Sequence, residues 1–142
     1  MISLEHITDP TMIKCLVFKD TIYKTMIRCK DFTTWMPDTI GASWYLVSTD
    51  SKQIGIIVLK QLSDNCICFH GGMYKRYRGP QTVFYLQDCL KLIKERTGCV
   101  LITTQHENSK LARRLVQHIG FKLKTTINNG YRDGKLLLFG EE

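Results

Sequence analysis

The segment His70-Gly71-Gly72-Met73-Tyr74-Lys75-Arg76-Tyr77-Arg78-Gly79-Pro80-Gln81-Thr82 sets three cations and a glycine-proline turn into one short stretch. A strand-like run precedes it and helical apolar spacing follows it, so it joins a strand to a helix. A helix N-terminus presents unpaired N–H groups and a partial positive charge. Such an end binds phosphate readily. Lys75, Arg76 and Arg78 add fixed charge, and Gly79 lets the backbone approach a ligand closely. The chemistry this spacing favours is capture of a phosphorylated cofactor. The same run interleaves Tyr74 and Tyr77 with cations, a mixture that RNA and single-stranded DNA sites also use. Positive charge elsewhere reads as dispersed, for example at Lys19, Lys24, Arg28 and Lys122, so nucleic acid ranks below the cofactor.

Three side chains are candidates for proton transfer. His70 lies on the strand before the turn, and its ordinary pKa suits a general base. His106 and Glu107 follow a later strand, at the C-terminal edge where open α/β sheets gather ligands. The ranking is His70, then Glu107, then His106. Cys66, Cys68 and His70 alternate along one strand and share a face. A fourth ligand is not evident, so they read as buried thiols beside a histidine, and no metal is expected. The six cysteines lack CxxC pairs, which fits reduced thiols in a cytoplasmic protein.

Behind these residues stands an ordered series of elements. Ile2–Ile7 alternates as a strand. Asp9-Pro10 supplies an N-cap and a first-turn proline for a helix carrying Met12, Ile13, Leu16 and Val17. Ile22, Tyr23, Met26 and Ile27 repeat the helical spacing. Residues 32–42 read as a loop containing Trp35, Met36 and Pro37. Trp44–Ser48, Gln53–Gln61 and Cys66–Met73 form a meander. Val83, Leu86, Cys89, Leu90 and Ile93 mark a helix that Gly98 stops. Cys99–Thr104 is a strand. Asn108 or Ser109 then caps a helix with Leu111, Ala112, Leu115, Val116 and Ile119 on one stripe. Phe121–Ile127 and Lys135–Phe139 close the chain as strands, with Asn129-Gly130 and Asp133-Gly134 as hairpin signals. The apolar Lys135–Phe139 strand offers an edge for a homodimer.

The 142 residues carry 44% hydrophobic and 23% charged side chains and a net charge of +7. These totals suit one globular domain over residues 1–142 with an anionic partner. No secretory leader and no apolar run of membrane-spanning length is read, so no membrane association is expected.

In this order, and in two blocks, the sequence resembles the GNAT superfamily of acyl-CoA N-acyltransferases. The Tyr77-Arg78-Gly79 turn is similar to that family's Arg/Gln-x-x-Gly-x-Gly/Ala pyrophosphate loop. Asn108…Ala112-Arg113-Arg114-Leu115…Ile119-Gly120-Phe121 is similar to its second block. The resemblance implies an α/β GNAT-like fold, with a mixed, mostly antiparallel sheet of about seven strands and helices on both faces. It implies acetyl-CoA as co-substrate and an amine acceptor that is a small molecule, a protein or an RNA. It places Met73, Tyr74, Arg76, Tyr77, Arg78, Gly79, Pro80, Gln81, Thr82 and Asn108 against the cofactor. The N–H of Met73 or Tyr74 becomes the donor to the developing oxyanion. The loop around Trp35 faces the acceptor. Two departures stand out. Gln81 and Val83 occupy positions where the family carries further glycines, and Val116 occupies that of its tyrosine general acid. They favour the alternative reading, a non-catalytic GNAT-fold binding or assembly protein of the kind encoded by phages.

Overall fold

The computed structural model describes residues 1–20 and 33–141. The helical spacing at Ile22, Tyr23, Met26 and Ile27 lies outside the described residues. The elements are β1 (Ile2–Ile7), α1 (Pro10–Phe18), β2 (Ser43–Thr49), β3 (Lys52–Ser63), β4 (Cys66–Met73), a 3-10 turn (Lys75–Tyr77), α2 (Gln81–Thr97), β5 (Val100–His106), α3 (Lys110–His118), β6 (Lys122–Tyr131) and β7 (Gly134–Gly140). The seven strands form a mixed sheet in the order β1-β2-β3-β4-β5-β7-β6. Pairing is parallel between β4 and β5, and antiparallel for β1–β2, β2–β3, β5–β7 and β6–β7. The expected fold class is thereby met.

The chain divides into two compact units whose boundary cuts β4. The first contains residues 1–61 and 70–82. Its core joins Ile7, Ile13, Val17, Trp44, Leu46, Ile56 and Tyr74. Helix α1 starts as the sequence dictates: Asp9 Oδ1 accepts the Thr11 N–H at 2.9 Å, and Pro10 occupies the first turn. Ile13 and Val17, four apart, lie on the buried face.

The second unit contains residues 62–69 and 83–142. Gly98 ends α2 at φ +67°, where a glycine pays no Cβ penalty. Cys68, Cys89 and Cys99 are buried, whereas Cys15, in the first unit, is exposed. Burial and the nearby Asp88 push the Cys89 thiol up to about 12, so it packs as an inert hydrophobe.

Three expectations need correction here. The α3 stripe is centred on Val116, and Leu111 is 81% exposed. Five residues separate them, about 140° around the helix, so they cannot share a face. Asn129-Gly130 is not a turn. Asn129 sits at φ +58° where the β6 register shifts between Ile127 and Tyr131, which is a bulge. Arg132 and Asp133 make the turn, closed by the Tyr131↔Gly134 pair. Finally, β7 lies between β5 and β6, so the sheet edges are β1 and β6, and Lys135–Phe139 is not an edge.

Candidate functional site

The strand-to-helix turn is held from both ends. Tyr74 N–H donates to Ile54 O at 2.8 Å, and the ring continues into the core at 4% exposure. Its hydroxyl donates to Leu16 O at 3.0 Å. Burial and the charge of Asp20 raise this phenol to about 12, so it stays protonated as a donor. Asp20 Oδ2 also accepts the Lys75 N–H at 2.8 Å. The 3-10 turn is closed by Tyr77 N–H to Tyr74 O at 2.8 Å and Arg78 N–H to Lys75 O at 3.2 Å. Tyr77 packs against the same core. Both tyrosines therefore anchor the turn: Tyr74 is buried, and Tyr77 is partly buried with Arg76 over its ring. The Tyr74 ring, hydroxyl, N–H and carbonyl are thus all engaged within the fold, where the sequence led us to expect a cofactor contact.

The second half of the turn is shaped by short polar contacts. Arg78 Nε donates to Met73 O at 2.9 Å, folding the guanidinium back over the end of β4. Gly79 N–H donates to Thr82 Oγ1 and Thr82 N–H returns to Gly79 O, each at 3.0 Å. Gly79 has φ +140°, a conformation that side chains other than hydrogen rarely adopt. Pro80 then leads into α2. The Gln81 amide lies across the turn, within 3.4 Å of both Tyr77 O and Arg78 O, with its Oε1 3.2 Å from where a Cβ at residue 79 would stand. Arg76 lies over the Tyr77 ring at 6.0 Å, and Lys19 over Tyr74 at 5.0 Å. The turn thus holds Arg76, Gly79 and the start of α2 in one short stretch, with the Gly79 and Thr82 N–H groups bonded inside it.

Just before the turn, β4 changes its company. Its parallel ladder with β5 runs from Cys66↔Val100 to Cys68↔Ile102. At the next residue Phe69 O accepts the hydroxyl of Thr103, a fully buried side chain, at 2.7 Å. A side chain thus meets that carbonyl where a regular ladder would supply a backbone N–H. Further along, Tyr74 spends its N–H toward β3. Alternation along a strand then turns the Met73 and Gly71 N–H groups away from β3. Of the two residues expected as oxyanion donors, Tyr74 thus has its N–H engaged with β3. His70 is half-buried on this stretch, and desolvation holds its pKa below the usual histidine value.

His106, Glu107 and Asn108 lie in the second unit and form their own cluster. His106 is 5% exposed. Its Nδ1 accepts the Asn108 N–H at 3.1 Å, so Nε2 carries the proton and faces Asp133 Oδ1 at 3.1 Å. Tyr131 tilts over the ring at 5.2 Å. With both nitrogens committed, His106 is a clip between the start of α3 and the β6–β7 turn, and it is not carried forward as a base. Glu107 N–H donates to Lys135 O at 3.1 Å, and its carboxylate lies beside Gly134. Ser109, not Asn108, is the N-cap of α3, and its side chain makes no cap bond. Val116 is buried, so the position compared with a tyrosine acid is a core position. Sequence reasoning missed Asp20, Thr103 and Asp133. Each acts through a contact 27 to 55 residues distant, for which no local spacing gives a signal.

No protein-family model and no curated protein sequence matches this chain. Solved structures match along its length. A GNAT family acetyltransferase from Elizabethkingia anophelis with acetyl-CoA bound has TM-score 0.74 at 15% identity, covering 99% of this chain and 97% of the other. Aminoglycoside acetyltransferase AAC(6')-Ib, in complex with coenzyme A and kanamycin, has TM-score 0.75 at 13% identity, covering 99% and 94%. The ribosomal L7/L12 alpha-N-protein acetyltransferase RimL, in complex with coenzyme A, has TM-score 0.74 at 11% identity, covering 99% and 93%. At these identities the likeness establishes the fold.

Proposed function

We propose that this GNAT-fold chain is an acetyl-CoA-dependent N-acetyltransferase acting on a primary amine. The observation that carries the reading is the preformed turn after β4. Its backbone is fixed by Arg78, Gly79 and Thr82, and the cation of Arg76 beside the start of α2 supports a pyrophosphate site there. The structural neighbours that hold acetyl-CoA or coenzyme A support the choice of cofactor.

In this reading the amine lone pair attacks the thioester carbonyl carbon. His70, kept neutral by its surroundings, takes the amine proton, with Glu107 as second candidate. The Met73 N–H stabilises the oxyanion. The C–S bond then breaks, and the thiolate takes a proton from solvent, since Val116 supplies none. The loop around Trp35 and Met36 faces the acceptor.

Titration with acetyl-CoA tests the reading. At a hundredfold excess over Kd, binding stabilises by about 2.7 kcal/mol, a Tm rise on the order of 8 °C for a chain of this size. No shift at millimolar acetyl-CoA would sink the proposal and favour a non-catalytic GNAT-fold binding protein.

The Gln81 amide occupies the mouth of the turn, so binding must move it. Gln81→Gly is expected to tighten acetyl-CoA binding about 3- to 10-fold, the loss of one or two weak hydrogen bonds to be broken. Calorimetric titration of both proteins reads this directly. Weaker binding by the variant would make Gln81 a ligand for the phosphate rather than an occupant of its place.

A further inference from the structure

The net charge of the chain is not evenly spread. Residues 109–135 hold seven Lys and Arg (Lys110, Arg113, Arg114, Lys122, Lys124, Arg132, Lys135) against one acid, Asp133, a net of +6. The remaining residues hold 13 cations and 12 acids, a net of +1. Asp133 is moreover turned toward His106. This stretch is α3, β6 and the start of β7, all within the second unit.

The basic stretch lies on the surface. Every residue of β6 from Lys122 to Gly130 is exposed, which means both faces of the strand. Lys110, Arg114 and Lys135 are exposed as well. On α3, Lys110, Arg113, Arg114 and Gln117 follow the i, i+3, i+4, i+7 spacing of one helix face. The Arg113 Nε is buried with no hydrogen-bond partner among the described residues.

These cations span a helix of about 14 Å and a strand of about 33 Å. They cannot converge on one small anion; they match an extended array of phosphates. Between the cations β6 presents Thr125, Thr126, Asn128 and Asn129, short donors and acceptors on a bulged strand. Phe121 is buried and Tyr131 tilts over His106, so the surface has no open aromatic face on which unpaired bases would stack. An A-form duplex fits this chemistry best. Its wide, shallow minor groove displays 2′-hydroxyls beside phosphates and is read by short polar side chains. A second copy of the chain would bring the same +6 surface against itself.

We propose that the α3–β6 surface binds the backbone of double-stranded RNA. The proposal is independent of the acetyltransferase reading.

Fluorescence anisotropy with an RNA duplex of about 20 base pairs tests it, with a B-form DNA duplex of the same sequence and poly-glutamate as comparison arms. Binding to the RNA is expected to weaken with salt, at a log–log slope of about −3 to −5. The double variant Lys122→Glu, Lys124→Glu, and separately Arg114→Glu, are each expected to lose at least about tenfold in affinity. Lys91→Glu, on α2 outside the stretch, is expected to stay within about twofold of the parent protein. The glutamine variants at Lys122 and Lys124 replace the charge reversals if those do not give a folded melting transition. Absence of RNA binding at low salt would overturn the proposal. So would equal or tighter binding of DNA or poly-glutamate, or equal losses in Lys91→Glu and the surface variants.

Discussion

His70→Gln is expected to lower turnover at least about 100-fold, the ordinary contribution of a positioned base, while leaving the acetyl-CoA-induced rise in Tm in place. His70 sits on β4, past the last β4–β5 pair and three residues before Met73, the strand residue whose N–H turns away from β3. Glutamine keeps most of the side chain's volume and its hydrogen bonding but takes up no proton at neutral pH. A purely structural role would therefore survive the substitution. The pH profile supplies a second readout. Desolvation lowers the His70 pKa in the folded protein below its unfolded value near 6.5. The neutral base therefore persists below pH 6.5, and the acid limb of kcat/KM falls on the acid side of that value. The same shift has a sign for stability. Below pH 6.5 the unfolded chain binds a proton that the folded chain resists, so stability is full above 6.5 and is lost as pH falls toward the lowered folded pKa. His70→Gln should remove both the acid limb and this share of the acid destabilisation. Unchanged turnover with an unchanged limb would remove His70 from the mechanism and leave Glu107 to be tried.

The second large effect is expected from Gly55→Ala. A Cβ at Gly55 would collide with Gly72 O and stand 3.0 Å from both the Cα and the Sδ of Met73. Two of these three are backbone atoms, so a strand must move. Gly71 is equally confined on the other strand, where a Cβ would stand 2.7 Å from Ile56 O. The two backbones approach so closely that only hydrogen fits between them. Overpacking of this kind costs about 1–3 kcal/mol, or a Tm loss on the order of 3–10 °C. Because the displaced residue is Met73, turnover should fall more than stability requires, measured at a temperature where the variant is fully folded. Gly98→Ala is the contrasting case. Nothing lies within 4 Å of its Cβ position, and only the φ of +67° is unfavourable. It should cost about 1 kcal/mol and leave turnover unchanged. Equal turnover losses in the two variants would show that Gly55 acts through general stability rather than through Met73.

Much of the fold was legible in the chain because its signals are local. Asp9-Pro10 capped α1, Gly98 stopped α2, and the period-2 run from Cys66 to Met73 matches β4 residue for residue. The candidate turn was legible for the same reason: the Arg78–Met73 and Gly79–Thr82 contacts span five and three residues. Where two local signals competed, sequence could not choose. Asn129-Gly130 and Asp133-Gly134 both suit a turn, and the β7 partners decide which one bends the chain and which one bulges. Leu111 looked like part of a stripe until the packing of Val116 fixed the rotation of α3.

Composition, cap residues and the spacing of apolar side chains are properties of neighbours along the chain, and by themselves they determined the order of elements and the position of the strand-to-helix turn with its cations. Tertiary structure alone decided which of those residues remain available. It buried Tyr74 and packed Tyr77 partly against the same core, engaged both nitrogens of His106 with Asn108 and Asp133, and spent the Tyr74 N–H on Ile54. It also left β6 exposed on both faces, so that the cations clustered over residues 109–135 of the sequence reach solvent. The reason is physical: a hydrogen-bonding group or a charge can act on a ligand only if the fold has not already used it, and that depends on partners far away in sequence.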